Sequence, residues 1–465
     1  MSTSQEAEHP IITYLRIRKH LKRLTRQRRG LDLKRNTPVA RALNNVVSNP
    51  IVSFNLKSSL SKYGFMGPNE TSFGTLGSPN IDAIHSQSQP SSFGKGDQTV
   101  TDLKYRDGRE VRGEDLKWNS RPDDSNSTYY ENTFHSLTSD LKNVVETTLF
   151  IGRRVEVKLY KLALYDKGGH FDWHRDSTHG ENHHATVLVA LNTSWEGGSL
   201  LLRHNGQEMT VNMHLKVTSV TDRKSSESDS SSESGSEHEP DSLPSLTAAA
   251  FYTDVEHKVE PVTEGVRLIL QYDVFVSLEQ DDPDDDFDDY DSNLDNVSGK
   301  SRLDFGKKPY DNKVQAPSGF SNEASLSALV AEIQKIIAGG TEEVGIPLRH
   351  LYRQASIRKE YLKGVDAIIY EKLSHTFTVS LVPVILGEKG SEYGQWLGEE
   401  MMVYKASDDG QEVGSNSTEF HLNDISEIVE ISNKEYVERV GNHSQEANCK
   451  YFGGGMFLRA KSLSA

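Results

Sequence analysis

The chain has 465 residues, enough for two domains or one elaborated domain, and only 35% of them are hydrophobic, so some segments should lack a packed core. Its net charge of −16 argues against nucleic acid as a partner of the whole protein. No run approaches the ~18 apolar residues of a membrane helix, and a lone cysteine, Cys449, excludes an intramolecular disulfide.

Residues 1–50 are predicted to form a basic leader. The first eight residues, Met-Ser-Thr-Ser-Gln-Glu-Ala-Glu, lack the basic start of a secretory signal, and no apolar stretch of such a signal follows them, so with the single cysteine we expect an intracellular protein, cytoplasmic or nuclear, without a membrane partner. Between Tyr14 and Arg29, basic residues alternate with leucine and isoleucine, a pattern that predicts a short helix. A solvated helix is the main interpretation, and a nuclear-localisation or anionic-surface element is the alternative.

The next region, 51–140, is mixed and polar and is predicted to flank the core. Its segment Phe93-Gly94-Lys95-Gly96 is glycine-rich, but no Ser or Thr follows Lys95, so it is not a phosphate-binding loop. We predict a turn there.

Residues 141–275 show the strongest strand pattern and are predicted to form the core. Short apolar runs separated by turn signals predict five strands: Val155–Leu164, Thr186–Leu191, Ser199–Leu202, Ala248–Thr253 and Val266–Val274. Few helical patterns lie between them, which favours an antiparallel barrel or jelly roll. The Ser/Glu-rich insert 222–245 cannot bury a core and is predicted to be a disordered loop between strands.

Beyond the core, residues 276–312 are predicted to be an acidic linker, since they lack the spacing of a calcium loop. Residues 313–465 are predicted to form an α+β region of unknown role. Helical spacing covers Glu323–Ala338, which Gly339-Gly340 would cap, and Leu362–Leu373, and a strand covers Phe377–Ile385.

One segment carries chemistry. Two overlapping His-x-Asp pairs follow Gly168-Gly169, and a third histidine, His257, lies much later. Two histidines and one carboxylate are the composition of the facial triad that holds Fe(II) and leaves other coordination positions open. Alternate residues of a strand share one face, so four candidates could point into one barrel mouth: His170, Asp172, His174 and Asp176.

The shared strand face does not by itself decide which of the two His-x-Asp pairs binds the metal. The chain needs residues after the Gly168-Gly169 turn before it re-enters the barrel, which favours His174 and Asp176 as ligands and leaves His170 and Asp172 near the rim. Arg267 opens the next predicted strand, and a cationic side chain inside a barrel needs an anion. A dicarboxylate cosubstrate would supply that anion; an ion pair with an internal Asp or Glu is the alternative.

These residues resemble the 2-oxoglutarate- and Fe(II)-dependent dioxygenases, in particular the prolyl 4-hydroxylase-like branch. The segment from Tyr165 to Ser177 is similar to the family pattern Tyr-x-x-Gly-Gly-x-Phe-x-x-His-x-Asp-Thr. The segment from Leu191 to Leu200 is similar to a second family pattern, Leu-Asn-x-x-Trp-x-Gly-Gly-x-Leu. Large fungal members of the branch also contain a segment similar to the one at Phe93. Collagen-type members have Lys where this chain has Arg267.

The resemblance implies a fold that is mainly β with flanking helices, a double-stranded β-helix (jelly roll) with N- and C-terminal extensions. It implies that His174, Asp176 and His257 bind Fe(II), and that Arg267 and Tyr165 bind the far carboxylate of 2-oxoglutarate. O₂ and 2-oxoglutarate would be consumed, and ascorbate would keep the iron reduced. The implied reaction is hydroxylation of an unidentified protein side chain or small molecule, with release of succinate and CO₂.

Two alternatives stay open. The first is a cupin-like metalloprotein that uses the same ligands without 2-oxoglutarate, against which Arg267 argues. The second is a non-catalytic jelly-roll scaffold that binds partners through its acidic loops, against which the intact ligand set argues.

Overall fold

The structure is a computed structural model that describes residues 31–95, 98–118, 129–204, 207–214, 245–278, 322–388, 401–406, 412–413, 417–423 and 451–461. Most of the insert 222–245, the linker beyond 278 and the basic segment Tyr14–Arg29 lie outside these ranges. No helix within them is both long and apolar enough to span a membrane.

Strands outnumber helices throughout the described part of the chain. The helices are α1 (Pro38–Asn44), α2 (Ile81–Gln87), α3 (Tyr129–Thr148), α4 (Glu323–Ala338) and α5 (Gly364–Thr376). The strands are β1 (Asp32–Arg35), β2 (Ile51–Asn55), β3 (Gly64–Met66), β4 (Ser72–Thr75), β5 (Ser78–Pro79), β6 (Gln89–Pro90), β7 (Phe93–Lys95), β8 (Gln98–Val100), β9 (Arg106–Asp107), β10 (Arg109–Arg112), β11 (Lys117–Trp118), β12 (Val155–Tyr165), β13 (His170–His174), β14 (His183–Ala190), β15 (Trp195–Gly197), β16 (Leu200–His204), β17 (Gln207–Val211), β18 (Thr247–Tyr252), β19 (Glu256–Val259), β20 (Val262–Gly265), β21 (Arg267–Val276), β22 (Glu343–Pro347), β23 (Phe377–Glu388), β24 (Met401–Ala406), β25 (Glu412–Val413), β26 (Thr418–Leu422) and β27 (Tyr451–Ala460). This content confirms the prediction of a mainly β chain with flanking helices.

Two antiparallel sheets organise the unit Asn49–Gly319. The larger has seven strands in the order β2-β18-β14-β21-β12-β10-β6, and the smaller has five in the order β17-β16-β19-β13-β9. Strands β14 and β18 are buried along their whole length, because their apolar residues fill both faces of the central sheet. The five strands predicted between Val155 and Val274 are all present, with ends shifted by at most three residues.

Bulges change which side chains face inward. One extra residue in β12 shifts its register with β21 between Leu159 and Lys161. A second shift, between Phe171 and His174, offsets β13 against β19. Since side chains alternate along a strand, one inserted residue turns all later side chains to the opposite face.

The structure corrects two sequence predictions. Phe93–Lys95 is not a turn but a strand that pairs with Gln98–Val100, and Phe93 is fixed there by its ring contact with Tyr105 at 4.6 Å. Residues 256–259, where no strand was predicted, form β19 in the middle of the smaller sheet. Their alternation is too short to stand out without the neighbouring strands β13 and β16.

A second compact unit combines Met1–Ser48 with Phe320–Ala465. Its seven-stranded sheet has the order β1-β26-β22-β27-β23-β24-β25. Helix α4 has the predicted bounds and buries the stripe Leu326, Leu329 and Ile333, which lie three and four residues apart on one helical face. The helix predicted over Leu362–Leu373 is α5, displaced toward the C-terminus by two to three residues.

Candidate active site

A cavity of about 170 Å³ is lined by strands of both sheets of the unit Asn49–Gly319. The larger sheet contributes Tyr165 and Arg267, and the smaller sheet contributes His174 and His257. Asp176, just after β13, lines the same cavity. All five residues predicted from the sequence therefore meet at one cavity, although up to 102 positions separate them along the chain (165 to 267).

His174, Asp176 and His257 offer one nitrogen or oxygen each, and these atoms lie within 4.8 Å of one another. The two histidines are cross-strand partners on β13 and β19, with ring centroids 4.1 Å apart. The Nε2 atom of His257 lies 3.7 Å from the Oδ1 atom of Asp176. Two imidazoles and one carboxylate on one side of a cavity are a donor set that suits a divalent iron with open coordination positions.

Backbone carbonyls fix both imidazoles in the tautomer that a metal requires. The Nδ1–H of His174 donates to the Asp172 carbonyl at 2.7 Å, and that of His257 donates to the Val255 carbonyl at 3.0 Å. Because a carbonyl can only accept, Nδ1 carries the proton in each ring and Nε2 is left as the basic atom. Such hydrogen bonds orient metal-binding histidines and raise their basicity.

The third group, Asp176, is held by Thr186, whose hydroxyl donates to Oδ2 at 2.6 Å. Oδ1 is thereby left toward His257. Burial, helped by the neighbouring His257, holds the pKa of His174 well below its usual value. Burial acts to raise the pKa of Asp176, but His257, His174 and the Thr186 hydroxyl outweigh it and lower that pKa. His174 is therefore neutral and Asp176 anionic at neutral pH, which are the forms in which each binds a cation.

The competing pair, His170 and Asp172, lies away from this cluster. His170 contacts two carbonyls, Gly168 at 2.9 Å and Lys104 at 3.1 Å, which leaves neither ring nitrogen for a metal. Asp172 pairs with Lys258 at 3.2 Å on a half-exposed surface. The expectation that all four residues could face one barrel mouth is wrong, because the bulge in β13 places Phe171 and His174 on the cavity side.

Arg267 is the largest of the fully buried side chains, and only 1% of it is exposed. Its guanidinium lies 5.4 Å from the Tyr165 ring centroid, and Nη2 contacts the sulfur of Met213 at 3.8 Å. Among the described residues Nε has no hydrogen-bond partner, and no carboxylate forms an ion pair with this guanidinium. Burial lowers the pKa of Arg267 to about 10, so it remains a cation at neutral pH. The alternative of an internal Asp or Glu partner is thus not seen in the described part of the chain.

Several polar residues of the cavity are not evident from the sequence pattern. Thr186 belongs to an apolar strand, and neither Arg106 nor Lys161 stands in a recognisable motif. Lys161 did leave a signal, because the apolar alternation of Val155, Val157 and Leu159 changes phase before Leu162. A phase change within one strand is typical of a bulge, and it marks the residue that the bulge redirects.

A second histidine cluster is a hydrogen-bond network. His179 Nδ1 lies 2.6 Å from Asp273 Oδ2, and the His179 amide donates to His183 Nδ1 at 3.0 Å. His183 Nε2 donates to the Ala185 carbonyl at 3.1 Å. Both ring nitrogens of His183 therefore have hydrogen-bond partners. His183 thus lacks the free Nε2 atom that His174 and His257 offer to a metal.

Comparisons with known proteins bear on these residues. Residues 160–272 match the family model described as the 2OG-Fe(II) oxygenase superfamily. These residues form a 2OG-Fe(II) oxygenase domain. The chain is accordingly a 2-oxoglutarate-dependent dioxygenase, with Fe(II) and 2-oxoglutarate as the cofactor and cosubstrate of its superfamily. A comparison with curated proteins found no significant match.

Three solved structures are similar to parts of this chain. A Pseudomonas putida prolyl-4-hydroxylase is 15% identical, with a TM-score of 0.27 over 51% of this chain and 98% of that one. A Burkholderia pseudomallei oxidoreductase of the 2OG-Fe(II) oxygenase family is 14% identical, with a TM-score of 0.26 over 53% of this chain and 96% of that one. A Trichoplax adhaerens prolyl hydroxylase, in complex with a hypoxia-inducible-factor peptide fragment, is 12% identical, with a TM-score of 0.26 over 58% of this chain and 94% of that one. The assignment of the oxygenase domain rests on the family match.

Proposed function

We propose that this dioxygenase hydroxylates a C–H bond of a protein side chain or small molecule and releases succinate and CO₂. The oxygenase domain would be a double-stranded β-helix. In support, four strands of the larger sheet follow the order β12-β21-β14-β18 and four of the smaller follow β13-β19-β16-β17. Successive strands β12, β13 and β14 thus alternate between the two sheets, which is how a jelly roll winds.

In this proposal Fe(II) is bound by His174 Nε2, His257 Nε2 and a carboxylate oxygen of Asp176. The ligand atoms lie close enough to share one ion. Thr186 and the carbonyls of Asp172 and Val255 fix the orientation of the three ligands. The donor set fits the group that the superfamily uses.

The environment of Arg267 is the observation that supports this proposal most strongly. Its buried guanidinium has an unpartnered Nε and no anion among the described residues, and the cavity that it lines also contains the three proposed ligands. Such a charge is costly to bury without a counter-ion. The far carboxylate of 2-oxoglutarate would supply one, and Tyr165 lies beside it. A cupin-like metalloprotein without this cosubstrate leaves Arg267 unexplained.

Bound Fe(II) and 2-oxoglutarate together supply the O₂ activation that C–H hydroxylation requires. The protein's own residues hold the three ligand atoms on one side of the cavity and neutralise the cosubstrate. Phe171 stacks on the His174 ring, with centroids 3.4 Å apart, and its apolar ring would restrict water on that side. No acid–base residue is required by this assignment.

Thermal unfolding of the full-length protein with Mn(II), with 2-oxoglutarate and with both tests the proposal. We expect the melting temperature to rise most when both are present, because binding to the folded state stabilises it. Succinate release with Fe(II) and O₂ then reports turnover. A rise with Mn(II) that 2-oxoglutarate leaves unchanged would instead support the cupin-like alternative, and no response to either would support a non-catalytic scaffold.

A further inference from the structure

The cavity extends along β21 well beyond the proposed cosubstrate position. Arg267, Ile269, Gln271 and Asp273 alternate along this strand and all line the cavity. At about 3.3 Å per residue, the backbone positions of Arg267 and Asp273 lie roughly 20 Å apart. If Arg267 holds the cosubstrate at one end, the other end is available to a different molecule.

The bulge in β12 directs the side chain of a lysine into the end of the cavity far from Arg267. Lys161 pairs with Gln271 just after the register shift, and both Tyr160 and Lys161 line the cavity although they are consecutive. Only 8% of Lys161 is exposed. Lysine is among the residues least often buried, and bulges commonly redirect side chains beside active sites.

A second cation lies at the same end. Arg106 is 4% exposed, lines the cavity and has its guanidinium 4.5 Å from the centre of the Phe171 ring. Phe171 in turn stacks on His174, with ring centroids 3.4 Å apart. One aromatic ring therefore separates Arg106 from a proposed iron ligand, so a group bound at Arg106 would lie close to the reacting centre.

These two cations share one carboxylate oxygen. Lys161 Nζ and Arg106 Nη2 each lie 3.1 Å from Glu110 Oε2, which also accepts from the Ser91 hydroxyl at 2.9 Å. Asp273, the other carboxylate at this end, has its own partner in His179 at 2.6 Å. Among the described residues, Glu110 is thus the one carboxylate that pairs with these two buried cations.

The cluster of Arg106, Lys161 and Glu110 has a hydrogen-bond donor without a partner as well as excess positive charge. Arg106 Nε is buried and has no hydrogen-bond partner in the described part of the chain. Burial, with the neighbouring Arg106 charge, lowers the pKa of Lys161. Iron, Asp176, 2-oxoglutarate and Arg267 would carry +2, −1, −2 and +1, a sum of zero, so bound cosubstrate leaves the excess positive charge at the far end uncompensated.

We propose that Arg106 and Lys161 form a subsite for a carboxylate of the substrate, distinct from the carboxylates of 2-oxoglutarate. The inference rests on the proposed function, because it assigns a substrate class to the same cavity. A carboxylate carries the single negative charge that the pair lacks, whereas a phosphate monoester carries about −1.5 to −2 at neutral pH and would overcompensate it. The substrate is therefore an acid that is oxidised at a carbon near its carboxylate.

The test uses the full-length protein saturated with Mn(II) and 2-oxoglutarate, with propionate and its neutral isostere propionamide as probes and methyl phosphate as the phosphate arm. We expect propionate to raise the melting temperature more than either other probe. Lys161→Met should weaken propionate binding at least ~10-fold, because it removes one member of a buried charge pair. The matched control is Lys158→Met, on the same strand but half-exposed and paired with Glu156, and it should bind propionate as the parent does.

Each other outcome has a definite meaning. Equal responses to propionate and propionamide in the parent protein overturn the subsite, and this comparison holds even if Lys161→Met fails to fold. A stronger response to methyl phosphate overturns the carboxylate assignment. Loss of the 2-oxoglutarate response in Lys161→Met would place Lys161 in the cosubstrate site instead. If the parent responds to neither Mn(II) nor 2-oxoglutarate, the proposed function fails, independently of the propionate result.

Discussion

At the scale of single residues, hydrogen bonds distinguish two His-x-Asp pairs that sequence spacing alone does not. Each nitrogen of His170 contacts a backbone carbonyl, whereas His174 uses only Nδ1 in this way. An imidazole needs one unprotonated nitrogen to bind a metal. The difference in local contacts therefore separates the two histidines more sharply than their position in the motif.

The first prediction concerns these two histidines. His174→Ala should weaken Mn(II) binding by at least ~100-fold, since loss of a ligand should cost more than the ~10–100-fold typical of its outer-shell partners. His170→Ala, the matched control four residues earlier, should leave the affinity within about twofold, because a surface residue outside the coordination shell contributes little. Isothermal titration with Mn(II) measures both. The reverse ranking would show that the other His-x-Asp pair binds the metal.

A second prediction concerns the buried charge of Arg267. Replacing it by Met should raise the melting temperature of the metal-free protein, because an apolar side chain of similar length removes a buried cation that no carboxylate of the described residues compensates. The same variant should keep its response to Mn(II) and lose the further rise that 2-oxoglutarate causes. A variant that still responds to 2-oxoglutarate would contradict the assigned role of Arg267.

At the scale of elements, one-residue bulges decide which side chains enter the cavity. The extra residue in β12 turns Lys161 inward, and the extra residue in β13, which follows Phe171, turns His174 to the same cavity side as Phe171 while His170 and Asp172 stay outside. Between β13 and β14, the loop is tied to β21 by the His179–Asp273 hydrogen bond. Strand order therefore sets the walls of the cavity, and the bulges set its polarity.

That tie predicts a pH dependence of stability. The hydrogen bond to Asp273 raises the pKa of His179 despite partial burial. A raised folded-state pKa stabilises the protein fully below the unfolded value of ~6.5, and this contribution is lost as the pH rises through the folded value. The difference in unfolding free energy between the parent and His179→Gln should thus be largest near pH 5.5 and should shrink toward pH 8.5.

Urea denaturation at several pH values measures this difference. Asp273→Asn should remove the same pH-dependent part, because it removes the partner that stabilises the charged imidazole. A difference that grows with pH in either variant would contradict the ion-pair interpretation.

At the scale of the whole molecule, the chain forms two compact units, and every proposed site residue lies within Asn49–Gly319. Residues 51–112, which sequence analysis treated as flanking, supply β2, β6 and β10 to the larger sheet and β9 to the smaller one. The unit that contains the oxygenase domain therefore begins well before the segment that the family model matches.

A truncated protein spanning residues 49–319 should therefore keep the binding of Mn(II) and 2-oxoglutarate. A shorter protein starting at residue 141 should fail to fold stably, because it lacks the strands that pair with β12 and β18 and exposes their edges. Circular dichroism and Mn(II) titration of both proteins check this. A folded 49–319 protein without metal binding would show that the other unit is required.

The sequence by itself determined the chemistry of the candidate site and much of the secondary structure. A His-x-Asp pair, a distant His and an Arg at the start of a strand are local patterns, and so are the apolar runs of β12, β14, β18 and β21. The helix Glu323–Ala338 could be bounded to the residue, because its apolar spacing and its terminal glycines are also local. Information of this kind survives without any long-range contact.

Only the tertiary structure decided which side chains share the cavity. β19 is recognisable as a strand only beside β13 and β16, and the pairing of Lys161 with Glu110 joins strands whose paired residues lie 51 positions apart. The burial of Arg267, with no anion beside it among the described residues, likewise depends on side chains from both sheets that line one cavity. Burial and charge balance are sums over neighbours from distant parts of the chain, so no local pattern contains them.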